Sequence, residues 1–401
     1  MPLGLYISVP FCRTKCTYCN FASDVFSRAV FEKYVARLCA EIEHAAQNTQ
    51  GGPLKPAFGL SGSCPLDRAV DSIYFGGGTP TLLDVTQLKN VFVTIRQNFA
   101  VQPGAEITVE CAPGTLSESM RETLVECGVN RISLGVQSFI DQEAASVGRL
   151  HKRQTVLDDI ASLRRGGITN INVDLIAGLP HQTRESWNRS LDELIATGVP
   201  HTSIYMLEVD DDSRLGRELI AGGQKYHAHF VPDEDLTADL YESACDRLNA
   251  AGIEQYEISN FARPRFESKH NLKYWTRQPY LGFGVDAHSM LPASKDNEAR
   301  RFSNSDSLEK YIACEPAASA PISCDAALEE SLFLGLRLNR GIDVQKLNTS
   351  FGKAFEKHQS VMDELVRDGL LEQVGDSIRL TKRGRLVSNE VFQMFVSTST
   401  T

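Results

Sequence analysis

A chain of 401 residues is too long for one small module and suggests two domains, or one large α/β domain with an appendage. Hydrophobic residues make up 42% and charged residues 23%, which excludes a disordered chain and leaves ample material for a core. The net charge of −10, from 41 Lys and Arg against 51 Asp and Glu, argues against general nucleic-acid binding and against docking on anionic lipid.

The first segment, MPLGLYISVPF, has no basic region and only a short apolar run, so no signal peptide is expected. No apolar stretch approaches the ~20 residues that span a bilayer, and the expected location is the cytoplasm. The first strand is LYISV (5–9). It runs into PFCRTKCTYC, where Cys12, Cys16 and Cys19 lie close together. The other seven of the ten cysteines are scattered, which fits a reduced protein with one metal or redox loop.

Five more strands follow: 72–76, 106–111, 131–136, 170–177 and 202–209. Most read as apolar throughout, the pattern of parallel strands covered on both faces. Helical periods fill the gaps at 28–46, 85–99, 117–128, 153–167, 183–198 and 233–252. Several open on Ser, Thr or Asp and close on Gly. Residues 51–70, rich in Gly, Pro and Ser, read as a long loop. Six β/α beats within residues 1–255 predict an α/β fold, a partial or complete barrel, with a doubly wound open sheet left open by the rhythm alone. Residues 256–321 look irregular. Residues 322–401 read as amphipathic helices and a hairpin around Gly375, a winged-helix-like module whose last residues fray.

In a β/α barrel the active site forms at the C-terminal strand ends. Here those ends carry the cysteine loop, then Gly76, Gly77, Gly78 and Thr79, then Glu110, Gln137, Asp174 and Glu208. One such residue would be unremarkable; a set on one rim suggests a site. Three cysteines spaced C-x3-C-x2-C can hold three corners of an iron–sulfur cubane and leave one iron open. A structural zinc site wants four ligands, and no fourth Cys or His is near in sequence. Three glycines after a strand let backbone approach a ligand, or make a tight turn.

With these residues in view, YISVPFCRTKCTYCNF resembles the cluster loop of radical S-adenosylmethionine (SAM) proteins. FGGGTPT, ITVECAP, ISLGVQSF and NVDLIAGLPHQT resemble successive strand ends of the oxygen-independent coproporphyrinogen III oxidase family. The likeness covers nearly the whole chain, including QYEISNFARP and the C-terminal module. It is strongest to the HemW-type heme chaperones of that family. The resemblance implies a partial (β/α)6 radical-SAM barrel and a [4Fe–4S] cluster on Cys12, Cys16 and Cys19, whose open iron binds the amino and carboxylate groups of SAM. It implies SAM contacts at Tyr6, Tyr18, Gly77, Gly78, Thr79, Glu110, Gln137, Arg149 and Asp174. Carboxylates suit ribose hydroxyls or an ammonium, and Arg149 suits a carboxylate.

Three features separate the chaperones from the decarboxylases. Phe21 stands where the enzymes carry a further cysteine, little chain precedes Cys12, and His270-Asn271-Leu272-Lys273-Tyr274-Trp275 matches the H-N-x-x-Y-W motif linked to heme binding. The resemblance therefore implies heme contacts at His270, Tyr274 and Trp275, although a lone His beside two aromatics is often simply packed against them. His288 is a further porphyrin- or SAM-facing candidate. The implied function is heme binding and transfer to acceptor hemoproteins, with cluster and SAM supporting dimerisation or handover. The alternative is oxidative decarboxylation of coproporphyrinogen III. Only TKRGR (381–385) is locally basic, so the C-terminal module reads as a lid rather than a nucleic-acid reader.

Overall fold

The computed structural model describes residues 1–48, 69–292 and 298–396. Most of the loop expected over 51–70, and the frayed end expected after Val396, lie outside the described residues. Six β/α beats open the chain: β1 (Leu3–Val9), α1 (Arg28–Asn48), β2 (Ala69–Gly77), α2 (Val85–Asn98), β3 (Ala100–Cys111), α3 (Glu118–Glu126), β4 (Arg131–Gln137), α4 (Asp141–Ser146), α5 (Arg153–Arg165), β5 (Asn170–Ala177), α6 (Arg184–Thr197) and β6 (His201–Met206). The helices start where the caps predict. Asp84 and Thr183 form capping boxes with Gln87 and Ser186, and Gly198 ends α6 in the left-handed region at φ 63°.

Helices α7 (Arg214–Ala221) and α8 (Glu234–Ala250) follow β6. The segment 256–321, expected to be irregular, is built of short regular elements. After β7 (Glu254–Gln255) come β8 (Asn260–Ala262), α9 (Lys269–Trp275), β9 (Tyr280–Phe283), β10 (His288–Leu291), β11 (Arg300–Ser303), α10 (Leu308–Ile312) and β12 (Ala318–Pro321). All these strands join the main sheet, whose order is β12-β11-β10-β9-β1-β2-β3-β4-β5-β6-β8-β7. Strands β1 to β6 are parallel neighbours in sequence order, and β9 adds a further parallel strand on the free edge of β1. Among the described residues the two ends of the sheet do not pair, so the expected (β/α)6 barrel is a partial one.

The strands are not apolar on both faces. One face of each packs under the helices: Leu3, Leu5, Ile7 and Val9 on β1, Ile107 and Val109 on β3, and Ile171, Val173 and Leu175 on β5 are buried in one large cluster. The other face is polar and concave. The register places Tyr6 beside Tyr74, Tyr74 beside Thr108, Glu110 beside Ser133, Ser133 beside Asn172, and Asp174 beside Ser203. Period-two alternation puts these on one side of the sheet.

The C-terminal elements are α11 (Cys324–Leu336), β13 (Ile342–Asp343), α12 (Val344–Phe351), α13 (Lys353–Glu356), α14 (Gln359–Arg367), β14 (Leu371–Val374), β15 (Ser377–Leu380), α15 (Lys382–Leu386) and α16 (Ser388–Gln393). Strands β13, β15 and β14 form an antiparallel sheet turned at Gly375. Leu328, Leu332, Met362, Leu365 and Phe395 build a second buried cluster, which Ile258 joins. Among the described residues no helix is long and apolar enough to cross a membrane.

Candidate functional site

The loop after β1 is closed at its base. The Cys12 amide donates to the Asp24 carbonyl and the Asp24 amide to the Pro10 carbonyl, both at 3.0 Å. It is pinned from the far side as well. The Thr17 amide donates to the Val147 carbonyl at 3.2 Å, Thr14 Oγ1 to the Gly148 carbonyl at 2.9 Å, and the Leu215 amide of α7 to the Thr17 carbonyl at 2.9 Å. Cys16 is buried, and Cys12 and Cys19 are half-buried. Burial raises the thiol pKa of Cys12 and Cys19, so each keeps its proton unless a nearby cation compensates. Among the described residues no three Cys, His, Asp or Glu side chains stand as a preformed metal-ligand group.

The glycine run follows from this loop. A Cβ on Gly78 would stand 2.7 Å from the Phe11 carbonyl oxygen and 3.0 Å from Cys12 Sγ, so glycine is required by close approach. Gly77 takes φ 98°, open to glycine at no steric cost. The amides of Gly78 and Thr79 donate to the Val9 and Phe11 carbonyls at 2.8 and 2.7 Å. Strand β2 is thereby locked to the root of the cysteine loop.

The remaining rim residues converge. Glu110 accepts from Tyr74 Oη at 2.8 Å, and burial, with Asp174 adding repulsion, pushes its carboxyl up to about 7. Asp174 accepts from Asn172 at 2.7 Å and Ser133 at 3.1 Å, and burial raises its pKa too. Gln137 sits at φ 69°. A Cβ on Gly135 would lie 3.2 Å from Arg149 Nη2 and 3.3 Å from Gln137 Nε2, so both side chains pass over the same glycine. Arg149 also donates to Tyr18 Oη at 3.2 Å, while its buried Nε has no partner. Arg149 thus ties the cysteine loop to the rim and keeps a donor in hand. Glu208 is exposed beyond the end of β6.

The H-N-x-x-Y-W segment is α9, and it plugs the concave face from the strands' N-terminal end. Ser268 caps it, and Glu106 accepts from the amides of Lys269 and His270, both at 3.1 Å. Lys273 pairs with Asp71 at 2.7 Å and donates to the Pro2 carbonyl at 3.0 Å. His270 is 0% exposed. Its Nδ1 lies 3.0 Å from Ser72 Oγ and its Nε2 2.8 Å from Tyr274 Oη. Burial, reinforced by Lys273 and Arg131, depresses its pKa to about 3, so the ring is neutral. Both ring nitrogens are engaged, so this geometry presents His270 packed among its partners, the alternative to the heme contact that the resemblance implies. Trp275 points elsewhere, with the Arg337 guanidinium 4.4 Å above its ring. His288, by contrast, has a side chain 55% exposed, with Nε2 3.7 Å from Asp286. It lines a cavity of about 300 Å³ together with Tyr6, Gly77, Tyr274 and Phe21.

Sequence reasoning missed the polar residues deeper in the concave face: Ser72, Glu106, Arg131, Asn172 and His201. For Ser72, Glu106 and Asn172 the signal was present as a polar residue four, four and two positions before Gly76, Glu110 and Asp174 on the same strand.

A sequentially wound parallel sheet with a cysteine loop on its C-terminal rim and a polar concave face defines a radical SAM protein. The comparisons agree. The chain matches the Radical SAM superfamily over residues 6–194 and the HemN C-terminal domain over residues 322–387. Its fold is that of the coproporphyrinogen III oxidase HemN from Escherichia coli, a radical SAM enzyme, at TM-score 0.81 and 24% identity over 98% of this chain and 90% of that one. It is 32% identical to the heme chaperone HemW of Lactococcus lactis over 98% of this chain and 97% of that protein. It is also 32% identical to HemW of Bacillus subtilis, over 98% of each, and 30% identical to HemW of Escherichia coli, over 99% and 98%. The chain belongs to the HemW family of heme chaperones.

Proposed function

We propose that the chain binds heme and passes it to acceptor hemoproteins, and that it carries a [4Fe–4S] cluster on Cys12, Cys16 and Cys19 with SAM beside it. The observation that carries the cluster reading is the cysteine loop itself: three thiols on one loop, fixed on the strand ends against Gly78, where a Cβ would fill the space next to Cys12. The donor chemistry fits. Thiols whose pKa burial has raised need a metal's charge to become thiolates. When bound, such a cluster supplies an open iron and a single-electron donor.

The rim residues fit SAM. The partnerless Nε of Arg149 is a buried donor suited to a carboxylate, and Glu110 and Asp174 are acceptors suited to an ammonium or to ribose hydroxyls. Tyr18 holds Arg149 in place, and Gln137, Gly77 and Thr79 complete the mouth. The heme and hemoprotein roles rest on the family, with Tyr274 and His288 as the residues near the mouth that suit a porphyrin. A cluster-supported homodimer and a cytoplasmic location belong to the same proposal.

The polar rim also suits the second reading, oxygen-independent decarboxylation of coproporphyrinogen III. One experiment separates them. The protein is reconstituted anaerobically and given SAM, reductant and coproporphyrinogen III. In parallel it is loaded with heme and mixed with an apo-hemoprotein. Heme transfer without protoporphyrinogen formation is the expected outcome. Catalytic turnover to protoporphyrinogen would overturn the chaperone reading.

A further inference from the structure

We propose that the cavity between the cysteine loop and the β9–β10 turn takes one edge of a heme, with His288 as the iron ligand and His270 acting only through Tyr274. This rests on the heme-binding reading above and names its site. The cavity measures about 300 Å³, the lower end of small-molecule pockets, which run from roughly 300 to 1,000 Å³. It encloses part of a flat ligand and leaves the rest outside. Its walls suit a flat apolar edge. Tyr6, Tyr274 and Tyr280 line it, and Tyr274 and Tyr280 meet edge to face with ring centres 4.6 Å apart. Phe21, 63% exposed on the lip, leaves a large apolar ring facing solvent beside the opening.

Within this wall the imidazole is that of His288. Asp286 stands 3.7 Å from one ring nitrogen, the kind of carboxylate neighbour that orients a ligating imidazole and raises its basicity. His270 is not a cavity-lining residue. It is sealed behind Tyr274, with Ser72 on one nitrogen and the Tyr274 hydroxyl on the other. Ligation by His270 would break both contacts and leave Ser72 and Tyr274 without their partner inside a buried site. What His270 does in this geometry is fix the height and tilt of the Tyr274 ring, which is part of the cavity wall. His270 is a positioning residue, and His288 is the ligand.

The test is ferric heme titrated into the full-length protein, read by the Soret band and by low-spin electron paramagnetic resonance. His288→Ala is expected to lose the imidazole-ligated low-spin signal and to bind heme about tenfold more weakly or worse, and added imidazole to restore the signal. His270→Ala and Tyr274→Phe are expected to weaken binding by a few-fold while keeping the wild-type signal. Circular dichroism checks the fold of each variant. If His270→Ala or Tyr274→Phe loses the signal while His288→Ala keeps it, the assignment is overturned and the heme reading stands. If the wild-type protein binds no heme, the functional reading itself falls.

Discussion

Glu110→Gln isolates one buried carboxyl on the concave face. The exchange keeps the shape and one acceptor oxygen, and replaces the ionisable oxygen of a group that accepts from both Tyr74 and the Gly77 amide by an amide nitrogen. Burial is the main cause of the rise in pKa from 4.5 to about 7, and Asp174 adds to it. The sign follows from proton counting. Below pH 4.5 the carboxyl is protonated in both folded and unfolded chains and has no cost. Between 4.5 and 7 the folded chain holds a proton that the unfolded chain has released, so stability falls as pH rises. Above 7 the full cost of a charged, desolvated carboxylate is present. The shift corresponds to about 3 kcal/mol. Glu110 is not fully shielded from water, and screening lowers the expected effect to about 2 kcal/mol. The assay is urea unfolding of wild type and variant, reduced and anaerobic, at pH 5 to 8. The variant should exceed the wild type by only about 0.5 kcal/mol at pH 5 and by about 2 kcal/mol at pH 8, with the same denaturant slope. A difference that stays flat with pH, or a wild type that is the more stable at pH 8, would refute the account of Glu110.

Gly78→Ala should cut the iron retained after reconstitution while far-ultraviolet dichroism stays native. The new Cβ meets the Phe11 carbonyl and Cys12 Sγ, and relieving that overlap costs about 1–3 kcal/mol at the cysteine loop. Full iron loading in this variant would show that the close approach is unrelated to the cluster. Glu106→Ala should lower stability by about 1.5–3 kcal/mol, because the α9 amides lose a charged acceptor. Hydrogen exchange should then place the loss at residues 269–275 and spare β1. Equal protection of that helix in variant and wild type would remove Glu106 as its anchor.

The six long β/α beats were readable because each spans enough residues for a period to repeat, and because Ser117, Asp84 and Thr183 mark helix starts by a local rule that needs no tertiary contact. The cysteine loop and the rim residues were readable for the same reason: they are punctuation after strands. The concave face was not. In SIYFG and ITVEC the inward residues include Tyr74 and Thr108, which read as ordinary strand formers, so alternation passed for continuous burial. Strands β9 to β12 have four residues each, too few to show any period, and their place in the sheet is decided by partners far along the chain. The sealed setting of His270 was also hidden, because Ser72, its partner, lies 198 residues away. No spacing rule reports whether an imidazole is open.

The pairing of β9 with β1 orders events in time. Until Phe283 has been made, one edge of β1 has no neighbour. At ~5–20 residues per second, the strand that roots the cysteine loop waits on the order of tens of seconds for it. During that interval the loop exists without one wall of the cavity beside it. Tyr280 and His288 arrive to narrow the opening only at the end of that interval, and the edge of the earliest strand is sealed by one of the later ones.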